Sequence, residues 1–378
     1  MSSDRKGTFQ DLNALFVFGA ATVLVIHILG FFIQTQNEYP LNTDVEAVML
    51  ILFRFGRSLF IFATGMLLFY WYRKRQVDWG IFWRKRFRVI VLPYMIWTAI
   101  YTVFKLQTVN VAELAPQFFH SLLTGSSFYH LYYIPLYLQL SLLFFVCKGW
   151  FERYLRFWMV ALLFLLQNAL YLVFRCLFTD PLWVIDWSAH PLLSLVEYGY
   201  VSSQNYACMY FFTFALGAYA GLHVDKWRLW TKRLQLPSWI VTLSLAVWIA
   251  YRYLNGHMSY EQSLNIFEPT YLTYTTSFLI SFYPLSRYLG KLPVLGEWLS
   301  KWAKHNMAIY LVHPLILFLL ESHVIFRLDW STPVIMAAMF VITPPLCIFL
   351  YEHTLISYWS KRSRGKSRRP ARMNTHGA

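Results

Sequence analysis

Four ionisable side chains lie inside long apolar stretches of the sequence: His27, Arg54, Arg57 and His313. A charge in the middle of a bilayer costs about 2.5–3.5 kcal/mol or more, so such residues usually mark a functional site or a water-filled cavity. An imidazole can act as a general base near neutral pH, and a guanidinium can stabilise developing negative charge. The four residues therefore offer the groups needed for a proton transfer and for binding an anion.

The spacing of the two arginines adds to this interpretation. Arg54 and Arg57 are three residues apart and share one face of a helix. Neither guanidinium can lose its proton to avoid burial, so the pair is expected to face a water-filled or anion-receiving cavity. A single histidine between helices is often only a packing residue, and for His27 or His313 alone both interpretations stay open. Because all four residues are predicted at a similar depth, a shared site is favoured, with His27, Arg54 and His313 within about 10 Å of one another.

The composition predicts that these residues sit in a membrane. The chain has 378 residues, of which 58% are hydrophobic and only 13% are charged, and its mean hydropathy is +0.43. A helix that crosses the bilayer needs about 20 apolar residues, whereas a barrel strand is about half as long and alternates in polarity. The sequence predicts an all-α, polytopic membrane protein with about ten transmembrane helices. The predicted spans are 12–34, 46–72, 88–106, 130–150, 155–177, 205–223, 237–255, 268–288, 304–324 and 333–357.

The distribution of basic residues predicts the orientation. With the N-terminus in the cytoplasm, 27 of the 33 Lys and Arg residues fall in cytoplasmic segments, as the positive-inside rule requires. Both termini are therefore expected in the cytoplasm. Residues 1–11 form a short N-terminal segment, 12–357 form one membrane-embedded domain, and 358–378 form a basic, disordered tail that rests on anionic lipid.

Several functional classes are disfavoured by the same sequence. The net charge of +15 follows from membrane topology and does not indicate nucleic-acid binding. No phosphate-binding glycine loop is present, which argues against an ATP-driven pump. The four cysteines have no spacing typical of a zinc site or a disulfide framework, and we expect neither a metal nor a tightly bound cofactor. They are Cys147, Cys176, Cys208 and Cys347.

A basic cluster precedes the third predicted span, in the stretch "FWRKRFRVIVLPYMIW". Basic residues at a helix entrance usually anchor the helix on the cytoplasmic side. This cluster is denser than anchoring requires. Its guanidinium groups, those of Arg84, Arg86 and Arg88 beside Lys85, are also suited to holding phosphates.

Four segments, in order, resemble the membrane acyltransferase-3 family. They are the histidine of the first span, the arginine-led stretch "FRFGRSLFIFATGML" with Thr64-Gly65, the basic-to-Pro-Tyr stretch "RFRVIVLPYMIW", and "HNMAIYLVHPLIL". Two further stretches, "SSFYHLYYIPLYLQLSLLFF" and "FFTFALGAYAGLHVDKW", suit the family's fourth and sixth helices. The second of these, with the ninth-span motif, looks most like the intercellular-adhesion C subgroup, which is linked to modification or export of poly-N-acetylglucosamine.

This resemblance implies an O-acyltransferase of the plasma membrane. It would move an acetyl or succinyl-type group from acyl-CoA to a hydroxyl of an extracytoplasmic glycan. In this scheme His27 is the general base, and Arg54 or Arg57 stabilises the oxyanion. His313 orients the acceptor or carries a proton, and Glu321 sets its tautomer only if the geometry allows.

The resemblance also assigns a donor site and contains one departure. Arg84, Arg86 and Arg88 would bind the phosphates of CoA on the cytoplasmic side. The family usually has an arginine eleven residues before its first histidine, whereas this chain has Phe16, with the polar Asn13 one turn away. The role of that arginine is therefore expected to lie elsewhere, or the donor to differ.

Two other classes of function stay open at this point. A polysaccharide exporter would use the same buried His and Arg residues to line a pathway. Spans broken by Gly or Pro in corresponding positions of two halves would favour it, and the sequence has no such symmetry, although "ITPPLC" is able to break the last helix. A sensor or scaffold would not need four ionisable residues at one depth. Outer segments 179–200 and 255–269 are rich in aromatic and acidic residues, a composition that suits either sugar stacking or ordinary interface anchoring.

Overall fold

The computed structural model describes residues 3–34, 43–179, 203–323 and 330–353, and within these ranges the regular elements are all helices. The first seven helices are α1 (Ser3–Gln34), α2 (Thr43–Phe53), α3 (Gly56–Tyr72), α4 (Trp79–Arg86), α5 (Leu92–Leu106), α6 (Val111–Thr124) and α7 (Tyr133–Tyr154). The others are α8 (Phe157–Phe174), α9 (Phe211–Leu222), α10 (Val224–Leu254), α11 (Tyr260–Ser263), α12 (Pro269–Lys291), α13 (Pro293–His323) and α14 (Thr332–His353).

The prediction of an all-α polytopic membrane protein is confirmed. Within the described residues, eight helices are long and apolar enough to cross a bilayer. The predicted spans 205–223 and 268–288 are also helical, but the first contains only a short apolar helix and the second is not among those eight. The second predicted span is divided, because the helix is interrupted at Arg54 and Phe55 and resumes as α3.

Two helical regions extend beyond the predicted spans. Residues 111–124, expected as a connection, form α6, and α10 begins at Val224 inside a predicted basic loop. Helix α14 continues through Pro344 and Pro345, so "ITPPLC" does not break the last helix. The helix tolerates these prolines because neighbouring groups in a membrane bundle can satisfy the freed carbonyls.

Small residues set the closest helix contact. Helices α3 and α9 pack extensively on each other, and glycines lie where the two backbones meet. A Cβ at Gly217 would collide with the carbonyl oxygen of Phe62, and one at Gly221 with that of Met66. Gly65 faces the carbonyl of Phe214 in the same way. Glycines four residues apart on α9 therefore allow the close approach that small-xxx-small motifs give to membrane helices.

Gly217→Ala is expected to destabilise the protein by about 1–3 kcal/mol, because the added methyl meets a backbone carbonyl that cannot move aside. The matched control is Gly149→Ala, since no atom lies within 4 Å of a Cβ at that helical position. The control should be neutral or stabilising by up to about 1 kcal/mol, because alanine favours helix. Thermal unfolding in detergent measures both, and equal midpoints for the two variants would contradict this account of α3–α9 packing.

Helix α1 lies at the centre of the bundle, against α3, α12 and α13. Its buried Asp11 accepts hydrogen bonds from the guanidinium of Arg228 on α10, at 2.6 and 3.1 Å, and pairs with Arg287 on α12 at 3.1 Å. Ser286 donates to the Asp11 carbonyl at 2.7 Å. This network fixes the start of α1 at the end of the bundle that carries these basic side chains, which we call the basic end. It thereby sets the height of His27 along the bundle.

Candidate functional site

Two of the predicted histidines meet where α1 and α13 pack side by side. The imidazole rings of His27 and His313 are stacked, with centroids 5.3 Å apart and planes inclined by 25°. His313 is buried, whereas His27 is partly exposed. Each ring comes from a helix that starts near the basic end. The separation of the two ring centroids, 5.3 Å, is well within the distance of about 10 Å expected for a shared site.

The backbone fixes the tautomer of His313. Its Nδ1 lies 2.9 Å from the carbonyl oxygen of Ile309 and 3.0 Å from that of Tyr310. Since carbonyl oxygens only accept hydrogen bonds, Nδ1 carries a proton, and in the neutral ring Nε2 holds the free lone pair. That Nε2 is buried without a hydrogen-bond partner in the described structure. Carbonyls one turn back on α13 therefore set this tautomer, and the geometry does not give that role to Glu321.

A third histidine, His130, completes the cluster, and the sequence analysis did not select it. It lies in the turn 125–132 between α6 and α7, with its ring centroid 5.1 Å from that of His313. The hydroxyl of Tyr310 donates to the His130 carbonyl at 2.6 Å, which holds this turn against α13. Both His130 ring nitrogens are buried and unpartnered among the described residues. The stretch "SSFYHLYYIP" contains this histidine, but His130 is the first residue of the predicted span 130–150 and so was not counted among the residues of the membrane interior.

Arg57 is held by aromatic side chains. Its Nη1 donates to the hydroxyl of Tyr210 at 2.6 Å, and its guanidinium carbon lies 5.1 Å from the ring centroid of Tyr132. The Nε atoms of Arg54 and Arg57 are both buried without a hydrogen-bond partner. Within the described part of the chain, no carboxylate pairs with either arginine. A buried guanidinium N–H without a partner favours an anion as its missing acceptor.

The turn 125–132 joins the histidines to the arginines. Tyr129 packs on His27, with ring centroids 4.5 Å apart, and Tyr132 in the same turn packs on Arg57. The structure thus brings His27 and His313 into contact and places Arg57 against the same turn, with Arg54 three residues before Arg57 in the chain. We call this group, with His130, the His–Arg centre.

The chemistry available at the His–Arg centre is proton transfer beside fixed positive charge. His313 offers one buried lone pair on Nε2, and the guanidinium groups offer unpaired N–H donors. Buried donors and charges act more strongly than they would in water, because little solvent screens them. Within the described ranges, no group of three or more His, Cys, Asp or Glu side chains is arranged to hold a metal ion.

The three arginines of the basic cluster before α5 differ in burial. Arg86 is buried at the end of α4, with its guanidinium carbon 3.3 Å from the ring centroid of Phe82 and its Nε donating to Ser141 Oγ at 3.4 Å. Arg84 and Arg88 are exposed. A π-helical turn, Phe87–Val91, then leads into α5. Exposed Arg84 and Arg88 are available to an external anion, whereas Arg86 packs inside the protein.

The position of the missing family arginine is occupied by an aromatic contact. Phe16 packs on Phe60 of α3, with ring centroids 6.0 Å apart. Asn13, nearby on α1, is buried, and both polar atoms of its amide lack a partner among the described residues. The amide is thus available to a bound group but carries no charge.

The segments predicted to contact sugar are only partly described. Nearly all of segment 179–200 lies outside the described residues, as does the tail 358–378. In segment 255–269, Glu268 pairs with Arg252 at 2.7 Å and with Arg175 at 3.4 Å. This acidic side chain therefore links α8, α10 and the start of α12.

Comparison with known families gives one match. The family model described as an acyltransferase domain matches residues 9–352, which is nearly the whole chain and includes every residue of the His–Arg centre. No curated protein and no solved structure gives a significant match.

Proposed function

Because the chain belongs to the acyltransferase-3 family, we propose that it is a membrane O-acyltransferase that transfers an acetyl or succinyl-type group from cytoplasmic acyl-CoA to a hydroxyl of an extracytoplasmic glycan. Family membership supports acyltransferase activity in a multi-pass membrane protein. The donor, the acceptor and the plasma-membrane location are the proposal. The observation that carries it is the stacked His27–His313 pair beside unpaired arginines.

The proposed reaction is a direct transfer. A glycan hydroxyl is a weak nucleophile, and His27 removes its proton as the oxygen attacks the thioester carbonyl carbon. The carbonyl π electrons move to oxygen, and the resulting oxyanion is stabilised by the guanidinium groups of Arg57 and Arg54. When the carbonyl re-forms, the C–S bond breaks and the CoA thiolate leaves. His313 relays the proton from His27 to that thiolate, so that the imidazoles return to their starting state.

The donor is proposed to enter from the basic end. Exposed Arg84 and Arg88 suit the phosphates of CoA, since guanidinium groups bind phosphate with paired N–H donors. Arg86, being buried against Phe82 and Ser141, is proposed to hold α4 in place for that binding rather than to contact the donor. The glycan would approach from the opposite end of the bundle.

Polysaccharide export is the alternative function. Transporters commonly place broken helices in corresponding positions of two halves of the fold. The helix interruption at Arg54 and Phe55 has no counterpart in the last helix, since α14 runs unbroken from Thr332 to His353. This asymmetry favours transfer over transport.

The test uses purified protein in lipid nanodiscs with labelled acetyl-CoA or succinyl-CoA, with and without a glucosaminoglycan oligosaccharide. We expect acceptor-dependent transfer of label from at least one donor, and its loss in His27→Ala. The matched control is His120→Ala, because His120 is exposed on α6 outside the His–Arg centre. The proposal fails if folded wild type transfers no label, or if His27→Ala matches His120→Ala.

A further inference from the structure

A cavity of about 540 Å³ lies between α7, α8 and the start of α9, separate from the His–Arg centre. Five of its eleven lining residues are leucines, among them Leu143, Leu163 and Leu170. At its rim the side chains of Val146 and Leu166 are 74% and 56% exposed, and apolar exposure on membrane helices faces lipid. The cavity therefore opens sideways into the bilayer. Its volume is within the usual range of about 300–1,000 Å³ for ligand sites.

One amide in this cavity has no partner. Gln167 of α8 lines the cavity and is 6% exposed, and its Nε2 forms no hydrogen bond to any described residue. Water is scarce at this depth, so an unsatisfied N–H costs several kcal/mol unless a bound group accepts from it.

The two neighbouring amides show that this situation is particular to Gln167. Gln139, also in the cavity wall, accepts from the Ala207 backbone N–H at 3.1 Å and donates to the Asn205 carbonyl at 2.8 Å. Asn168, next to Gln167 on α8, donates to the carbonyl of Phe164 at 2.7 Å. Both amides are used within the fold, whereas Gln167 lines the cavity with an amide nitrogen that has no hydrogen-bond partner among the described residues.

We propose that this cavity binds a long-chain fatty acid in its neutral form, with the carboxyl group at Gln167 and the hydrocarbon chain along the leucines. The carboxyl carbonyl accepts from Gln167 Nε2, and the carboxyl O–H donates to the amide oxygen, so each group satisfies the other. The leucine walls and the lateral opening match the chain. A phospholipid is a poorer match, because its carbonyl groups lie at the edge of the hydrocarbon layer. Gln167 lies deeper, since it is ten residues, about 15 Å, along α8 from Phe157.

The cavity also touches the segment that supports Arg57. Ala207, Cys208 and Phe211 line it, while Tyr210 in the same segment accepts the hydrogen bond from Arg57. A bound chain would therefore pack against the opposite side of the segment that fixes this guanidinium.

The test is photolabelling of the full-length protein in nanodiscs with a diazirine analogue of palmitic acid. We expect saturable labelling of peptides from α7, α8 or residues 207–211, which palmitic acid displaces and hexadecane does not. Gln167→Leu should weaken the displaceable component about tenfold, the loss expected for about 1.4 kcal/mol of hydrogen bonding. Asn168→Leu is the matched control and should label as wild type, since that amide bonds within its own helix.

A second pair of variants tests occupancy itself. Leu163→Trp fills the cavity and should remove the saturable labelling, whereas Leu165→Trp, on a side chain 63% exposed outside the cavity lining, should not. Monodisperse elution and unfolding temperature establish that each variant is folded. Labelling that does not saturate, equal displacement by hexadecane, or unchanged labelling in Gln167→Leu would each overturn the proposal. None of these measurements depends on acyl transfer.

Discussion

His313→Ala is expected to lower the rate of acyl transfer by about 10² to 10⁴, the usual contribution of a positioned acid–base group. The reason is the fixed lone pair on Nε2, which is directed away from the two carbonyls that bind Nδ1 and has no other partner in the described structure. The measurement is kcat with acyl-CoA and glycan at saturating concentrations. Because His313 acts in proton transfer, kcat should fall while KM for acyl-CoA changes little.

The chain provides a close control for this variant. His353, at the end of α14, also has Nδ1 2.8 Å from a carbonyl one turn back, that of Phe349, but it is exposed and outside the His–Arg centre. His353→Ala should therefore transfer as wild type. If His313→Ala keeps wild-type kcat, or loses no more than His353→Ala, the proton-transfer role of His313 is refuted.

The buried ionisable residues could be found from sequence because the bilayer makes them costly. Hydropathy alone placed His27, Arg54, Arg57 and His313 inside helices, and comparable depth suggested that they meet. His130 escaped the same reasoning because it belongs to a turn rather than a span. A turn residue has no depth that helical rise can predict. His130 is placed beside His313 by tertiary contacts, among them the hydrogen bond from Tyr310 to its carbonyl and the packing of its ring on Tyr101.

The direction in which side chains point was the second feature that could not be predicted from the sequence. Arg84, Arg86 and Arg88 read as one phosphate-binding cluster, but the helix turns Arg86 inward onto Phe82 and leaves the other two outside. The interruption at Arg54 and Phe55 was likewise not predicted, because a run of apolar residues alone predicts one continuous helix. Contacts between distant segments, such as Gly217 against Phe62, depend on tertiary register and leave only the glycine spacing as a signal.

Arg57→Gln should lower kcat by about 10²–10³, the range measured when one preorganised oxyanion donor is removed. Glutamine retains some polarity but removes the charge and the forked donors that Tyr210 and Tyr132 hold in place. Arg57→Lys should recover only part of this loss, since an ammonium keeps the charge without the planar geometry. The matched control is Arg153→Gln, because Arg153 also lies over a tyrosine, Tyr154, at 5.2 Å, but is exposed. Transfer by Arg57→Gln at the rate of Arg153→Gln would show that Arg57 only packs. A full rescue by lysine would instead show that charge alone suffices, and that the geometry set by Tyr210 has no part in stabilising the oxyanion.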